Sequence, residues 1–190
     1  MKNRYLPLAF LSICLTLCGF HCGVECFTIP ISITRGEAFS LDNRGQEPVV
    51  LEAPAHGFLS AYGIQVQLEC EFAEGSGDTW TSDCDMLQLT TPIRECRIYT
   101  LLDMPNGYAA GDDVSDLFRF VDRNARPLKY RPLSEAPALI PQNLFPDIKA
   151  KFDFLLIQPP SQSGTCQFEF RMETTDSTLL SVTTNPILLQ

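Results

Sequence analysis

The chain has 190 residues, 45% of them hydrophobic and 19% charged, with a formal net charge of −9 at pH 7. That length predicts one domain with a sizeable core. An acidic chain with no basic stripe excludes nucleic acid as a natural partner and gives no electrostatic reason to lie on an anionic lipid surface.

The first predicted element is a leader. Lys2 and Arg4 precede "LPLAFLSICLTL" (Leu6–Leu17), an apolar run matching the core of a signal peptide and too short to span a bilayer. Small or polar residues follow, so residues 1–22 are expected to be a signal peptide, cleaved between Cys18 and Gly23, and residues 23–190 a single exported domain. Loss of Lys2 and Arg4 takes the charge from −9 to −11. Cys14, Cys18, Cys22 and Cys26 recur every four residues. On one helix those sulfurs spread over about 18 Å at 1.5 Å per residue, too far to converge on a tetrahedral metal. No metal and no cofactor are expected.

From residue 27 the pattern is that of strands. "FTIPISIT" (Phe27–Thr34) turns two isoleucines inward, with Pro30 marking an edge or a bend. "PVVLEA" (Pro48–Ala53) follows a polar turn. "IQVQLECEF" puts Ile64, Val66, Leu68, Cys70 and Phe72 on one face and Gln65, Gln67, Glu69 and Glu71 on the other. "DMLQLTT" and "RECRIYTLL" flank Pro92 as an expected hairpin, and "LFRFVD" and "PLKYRP" flank "RNAR" as another. A short helical turn is expected to feed the strand at Leu117–Val121, and the proline-rich Ser134–Asp147 to form a long connection between sheets. "KAKFDFLLIQ" (Lys149–Gln158) reads as a covered central strand. "CQFEFRM" turns Cys166, Phe168, Phe170 and Met172 inward, and "TLLSVTT" and "NPILLQ" complete about ten strands. Half-solvated strands belong to antiparallel sheets. The predicted fold is all-β, an antiparallel β-sandwich with at most one short helix.

In an oxidising compartment Cys70, Cys84, Cys96 and Cys166 are candidates for disulfides, with three pairings open. Cys70–Cys166 is expected to join two inward faces, and Cys84–Cys96 to close a loop symmetric about Thr90–Pro92. Chain entropy gives these roughly 4–5 and 3 kcal/mol. The alternative is four buried thiols.

Two resemblances add to this reading. "LTLC" (Leu15–Cys18) resembles the bacterial lipobox, with Leu17 where a small residue is usual; that implies an envelope lipoprotein anchored through Cys18, the chain's one route to a membrane. "FDFLLIQPPSQSGTCQFEF" (Phe152–Phe170) looks like the stretch before the second cysteine of immunoglobulin-like domains. Gly164 stands two positions before Cys166 rather than four, the tyrosine is missing, and Trp80 sits in a loop rather than on the strand after Cys70. The resemblance implies an immunoglobulin-like sandwich.

Candidate chemistry is sparse. His56 lies near Ser60 without a nucleophile-elbow motif. The acidic loops "EGSGDTWTSDCD" and "GDDVSD" (Gly111–Asp116) offer oxygen donors without EF-hand spacing. Trp80, on a loop, is the candidate partner-binding residue. The expected function is that of an exported, non-catalytic protein that binds another protein or a cell surface. The alternatives are an envelope lipoprotein with a structural or assembly role and a secreted hydrolase using His56 or an acidic pair.

Overall fold

The computed structural model describes residues 28–45, 47–52, 56–72, 86–141 and 149–190. The expected leader with Cys18, and the segment carrying Trp80 and Cys84, lie outside the described residues. The thirteen strands among the described residues are β1 (Thr28–Asp42), β2 (Val49–Leu51), β3 (His56–Gly57), β4 (Tyr62–Phe72), β5 (Met86–Leu89), β6 (Ile93–Thr100), β7 (Phe118–Asp122), β8 (Lys129–Pro132), β9 (Lys149–Leu156), β10 (Gly164–Cys166), β11 (Phe168–Thr174), β12 (Leu179–Thr183) and β13 (Ile187–Leu189). The four-residue helix α1 (Ala136–Leu139) follows a 3₁₀ turn at Leu133–Glu135. Another 3₁₀ turn, Ser115–Leu117, feeds β7, as the residue pattern predicted.

The fold is the expected all-β sandwich. Its larger layer is a seven-stranded sheet in the order β2-β1-β4-β9-β7-β8, with β5 added to β1. Against it lie two three-stranded sheets, β12-β11-β6 and β10-β13-β3. The alternation read in "IQVQLECEF" sets this up directly. Ile64, Val66, Leu68 and Cys70 are buried on the inner face of β4, and Phe168, Phe170 and Met172 of β11 come down from the opposite layer. The layers meet through rings: Phe154 lies 5.1 Å from Phe170, Phe118 5.3 Å from Phe168, and Tyr62 5.6 Å from Phe168, centroid to centroid. Such offset and edge-on contacts add to the apolar area each ring buries.

Gly36 lets the layers approach at one edge. A side-chain carbon there would stand 3.0 Å from Val182 Cγ1 and 3.1 Å from Leu180 Cδ2 of β12.

Two expectations are corrected. The β5–β6 hairpin does not form. β5 runs parallel to the start of β1, pairing Thr28 with Met86 through to Ile31 with Leu89, whereas β6 pairs with β11 in the facing layer. Pro92 offers no backbone donor for a tight turn, and Leu89 and Ile93 both enter the core from opposite layers. The stretch "CQFEFRM" is likewise two strands. Cys166 pairs with Ile187 and Phe168 with Thr100, so the chain changes sheets at Gln167.

Phe170→Ala is expected to destabilise the chain by about 3–5 kcal/mol, read from the midpoint of urea unfolding. Leu179→Ala, at an exposed position, should stay within about 0.5 kcal/mol of the parent.

Candidate functional site

The outer face of the large sheet carries the most organised polar surface of the described residues. Strand register lays it out in rows. Phe39 opposes Gln65, Gln65 opposes Asp153, and Val121 opposes Tyr130. Asp153 and Val121 stand one step beyond the paired Phe120 and Phe154, so one row runs Phe39, Gln65, Asp153, Val121, Tyr130. These side chains point outward because their neighbours Ile64, Val66, Phe152, Phe154 and Phe120 point inward.

Asp153 anchors the row. Its carboxylate is only 2% exposed, and burying a charge is costly unless it is paired and hydrogen-bonded. Gln65 donates an amide N–H to Oδ1 at 2.9 Å. Arg123 donates from Nε to Oδ2 at 3.1 Å and from Nη2 to the same oxygen. Gln67 in turn donates to the Gln65 carbonyl at 2.9 Å. Each member fixes the rotamer of the next, so the guanidinium and the amides are held in place before any partner arrives. At the β8 end stands Tyr130, 54% exposed, with Leu128 exposed two residues earlier. A fixed hydrogen-bonded set on a sheet whose edge strand carries an accessible phenol suits contact with another macromolecule, since Tyr joins a large rigid ring to a polar tip.

The outer face of β6 and β11 is a closed set of ion pairs instead. Arg97 pairs with Glu95 and with Asp113 at 2.7 Å, Arg171 with Glu169 at 2.7 Å, and Arg94 with Glu173. Arg171 also lies over the Tyr99 ring at 4.2 Å. The Arg171 guanidinium is the main reason the Glu169 carboxyl titrates below its usual range.

Compared with known proteins, the chain matches no family model and none of the curated sequences.

Each residue singled out from the sequence has a definite place, or lies outside the described residues. Trp80, Cys84 and Cys18 are in the latter group. Cys70, Cys96 and Cys166 are buried free thiols. The expected Cys70–Cys166 bridge does not fit this geometry. Cys166 sits close enough to Tyr62 to act on its phenol, and Tyr62 and Cys70 are eight residues apart on β4, about 26 Å of strand, where a disulfide needs Cα atoms within about 7 Å. Both cysteines face inward as read; they differ in height along the sandwich. Cys96 pairs across to Met172 on the inner face of β6. Cys84–Cys96 involves a residue outside the described segments.

His56 Nδ1 lies 2.8 Å from the Gln190 amide nitrogen. In the "GDDVSD" turn, Asp112 accepts the Ala109 N–H at 2.8 Å and Asp113 the Ser115 N–H at 2.9 Å, so both carboxylates close their own turn. No cluster with metal-ligand character occurs among the described residues, and none of their helices is long and apolar enough to cross a membrane. Sequence reasoning missed the Asp153 row. Its members are 88 residues apart in the Gln65–Asp153 bond, and only the alternation at Lys149–Leu155, which puts Asp153 on the wet face of a central strand, hinted at it.

Burial pushes the thiols of Cys70 and Cys166 up to about 11 and that of Cys96 up to about 12. A folded-state value above the unfolded one means that the stabilisation is complete below about pH 8.5, the unfolded thiol value, and is lost as pH rises. Unfolding free energy, measured by urea titration, should therefore fall between about pH 9 and 12. Maleimide at pH 8 should label these thiols only in denaturant, and rapid native labelling of any of the three would contradict their burial.

Proposed function

We propose that the chain is an exported, non-catalytic β-sandwich of immunoglobulin-like kind that binds another protein or a cell surface. The observation that carries this reading is the hydrogen-bonded Arg123–Asp153–Gln65–Gln67 set, fixed on the outer face of a seven-stranded sheet whose edge strand β8 carries the exposed Tyr130. A rigid sheet presenting a half-exposed guanidinium, ordered amides and a tyrosine has the composition enriched at contact surfaces, where Tyr and Arg dominate binding energy. The leader pattern supports export, and Trp80, outside the described residues, is the second aromatic candidate that the sequence offers. The lipobox-like "LTLC" supports an anchored variant of the same protein, held to the envelope through Cys18.

A photo-crosslinking side chain at position 130 of the exported protein, in its own cells, is expected to trap a defined partner band, whereas the same group at exposed position 176 should not. Tyr130→Ala and Trp80→Ala should each weaken the captured interaction at least about tenfold, the cost of losing a central aromatic contact. Equal crosslinking from both positions, or binding indifferent to both substitutions, would remove this assignment. The intact mass of the mature protein separates the two forms: an acylated Cys18 marks the anchored one, a free amine downstream the secreted one.

A further inference from the structure

The free sheet edges of this fold are guarded unequally. At one end of the large sheet, β8 reads Lys-Tyr-Arg-Pro (Lys129–Pro132), with two charges and a proline. At the other, β2 has three residues between Pro48 and Glu52. Charge, proline and shortness are the usual protections against strand addition. The edge strand β12 has none of them. From Thr178 to Thr184 it reads "TLLSVTT", without charge, proline or glycine, and among the described residues it pairs on one side only, with β11. Leu179 on this strand is 57% exposed.

The ladder shows which backbone groups are free. Thr174 donates to the Thr178 carbonyl at 3.0 Å and Thr184 to the Phe168 carbonyl at 2.9 Å. Hydrogen-bonded positions alternate along an antiparallel pair, so the even-numbered residues Thr178–Thr184 turn toward β11. Leu179, Ser181 and Thr183 turn their N–H and C=O groups to the open edge.

These three positions are symmetric about Ser181. We propose that the edge of β12 pairs antiparallel with β12 of a second copy of the chain, about a two-fold axis at Ser181. Ser181 then opposes Ser181 of the partner subunit, and Leu179 opposes Thr183 of the partner subunit. All three outward positions become hydrogen-bonded pairs. A register centred on Leu180 or Val182 would pair only two of the three outward positions and set the third opposite residue 177 or 185, beyond the strand, and one centred between two residues would set outward groups against inward-turned ones. On the core side, Leu180 meets Val182 of the partner subunit, apolar against apolar. The nearest charges on the outer side, Glu169, Arg171 and Glu173, already have partners within the chain, so no unpaired charge opposes approach. The three-stranded sheet becomes a continuous six-stranded one. The contact is isologous and closes at two copies, and it leaves the Asp153 row on the opposite layer uncovered. It is independent of the binding role proposed above.

Because residue 181 faces itself across the axis, charge tests the pairing directly. Sedimentation velocity of the mature chain over a dilution series should show a monomer–dimer equilibrium. Ser181→Lys and Ser181→Glu should each be monomeric at the same concentrations, since like charges directly opposed are repulsive, and mixing the two should restore the dimer. Ser181→Ala, which keeps the backbone groups, should associate like the parent. A parent that is monomeric throughout, or Lys and Glu variants that associate as well as the parent, would overturn the pairing. Hydrogen exchange at the Leu179, Ser181 and Thr183 amides supplies a test without substitution: protection should rise with protein concentration, and concentration-independent exchange would overturn the pairing equally.

Discussion

Everything in this fold is referred to the ring contacts that Phe168 and Phe170 make from β11 onto Tyr62, Phe118 and Phe154. Three strands of the large sheet, β4, β7 and β9, each contribute one ring to that set. Sliding β11 by one residue would exchange Phe168 and Phe170 for Glu169 and Arg171 on the core face, so the aromatic layer and the charged outer layer specify the same register from opposite sides. The packing also sets the sheet order: β9 lies between β4 and β7 because Phe152 and Phe154 must reach the middle of the layer, where they are buried.

A second constraint operates at one end of that core. Tyr62 is buried with its hydroxyl 3.1 Å from Ser40 Oγ, and Thr184 Oγ1 accepts the Phe168 N–H at 3.1 Å. The Tyr62 phenol titrates above its ordinary range chiefly because it is buried. Satisfied polar groups of this kind add little net stability, but leaving any one unpaired costs the full desolvation of that group. They therefore hold β1, β4 and the β12–β13 connection in one alignment, at the point where "CQFEFRM" passes from one sheet to the next. Hydrophobic burial alone would tolerate small slips there; three hydroxyls with assigned partners do not.

The parts of this architecture legible in the sequence are those governed by neighbours along the chain. Alternation placed Cys70 and Cys166 on inner faces, and "RNAR" between two strands gave the β7–β8 hairpin. Choices made between layers were not legible. Local pattern cannot tell whether "DMLQLTT" folds back on "RECRIYTLL" or joins Thr28–Ile31, because both placements bury Leu89 and Ile93. Similarly, β1 continues to Asp42 past the expected end at Thr34, since Gly36 is small enough for β12 to lie close above it, a reason that exists only once the layers are stacked. The Asp153 row belongs to the same class. A carboxylate on a wet face reads as ordinary until Gln65 arrives from β4 and Arg123 from the turn after β7.

The thiols bring the compartment and the packing to bear on each other. The proposed export would argue for disulfides, because exposed thiolates do not persist in an oxidising space. That argument acts through the thiolate, and burial removes it. A thiol whose titration is pushed up to about 11, as at Cys70 and Cys166, is ionised to roughly one part in ten thousand at pH 7, and the apolar packing around it also bars access to an oxidant. Cys96, pushed up to about 12 with Glu95 adding its charge to the effect of burial, is further still from reaction. Free thiols of this kind are packing groups, small and apolar. The expected Cys70–Cys166 bridge took inward orientation as sufficient for pairing, whereas a cross-link also needs equal height on the two layers. Cys166 stands at the Tyr62 end of β4 and Cys70 near the other, so the layers are held together by rings and hydroxyls, with the sulfurs filling space between them.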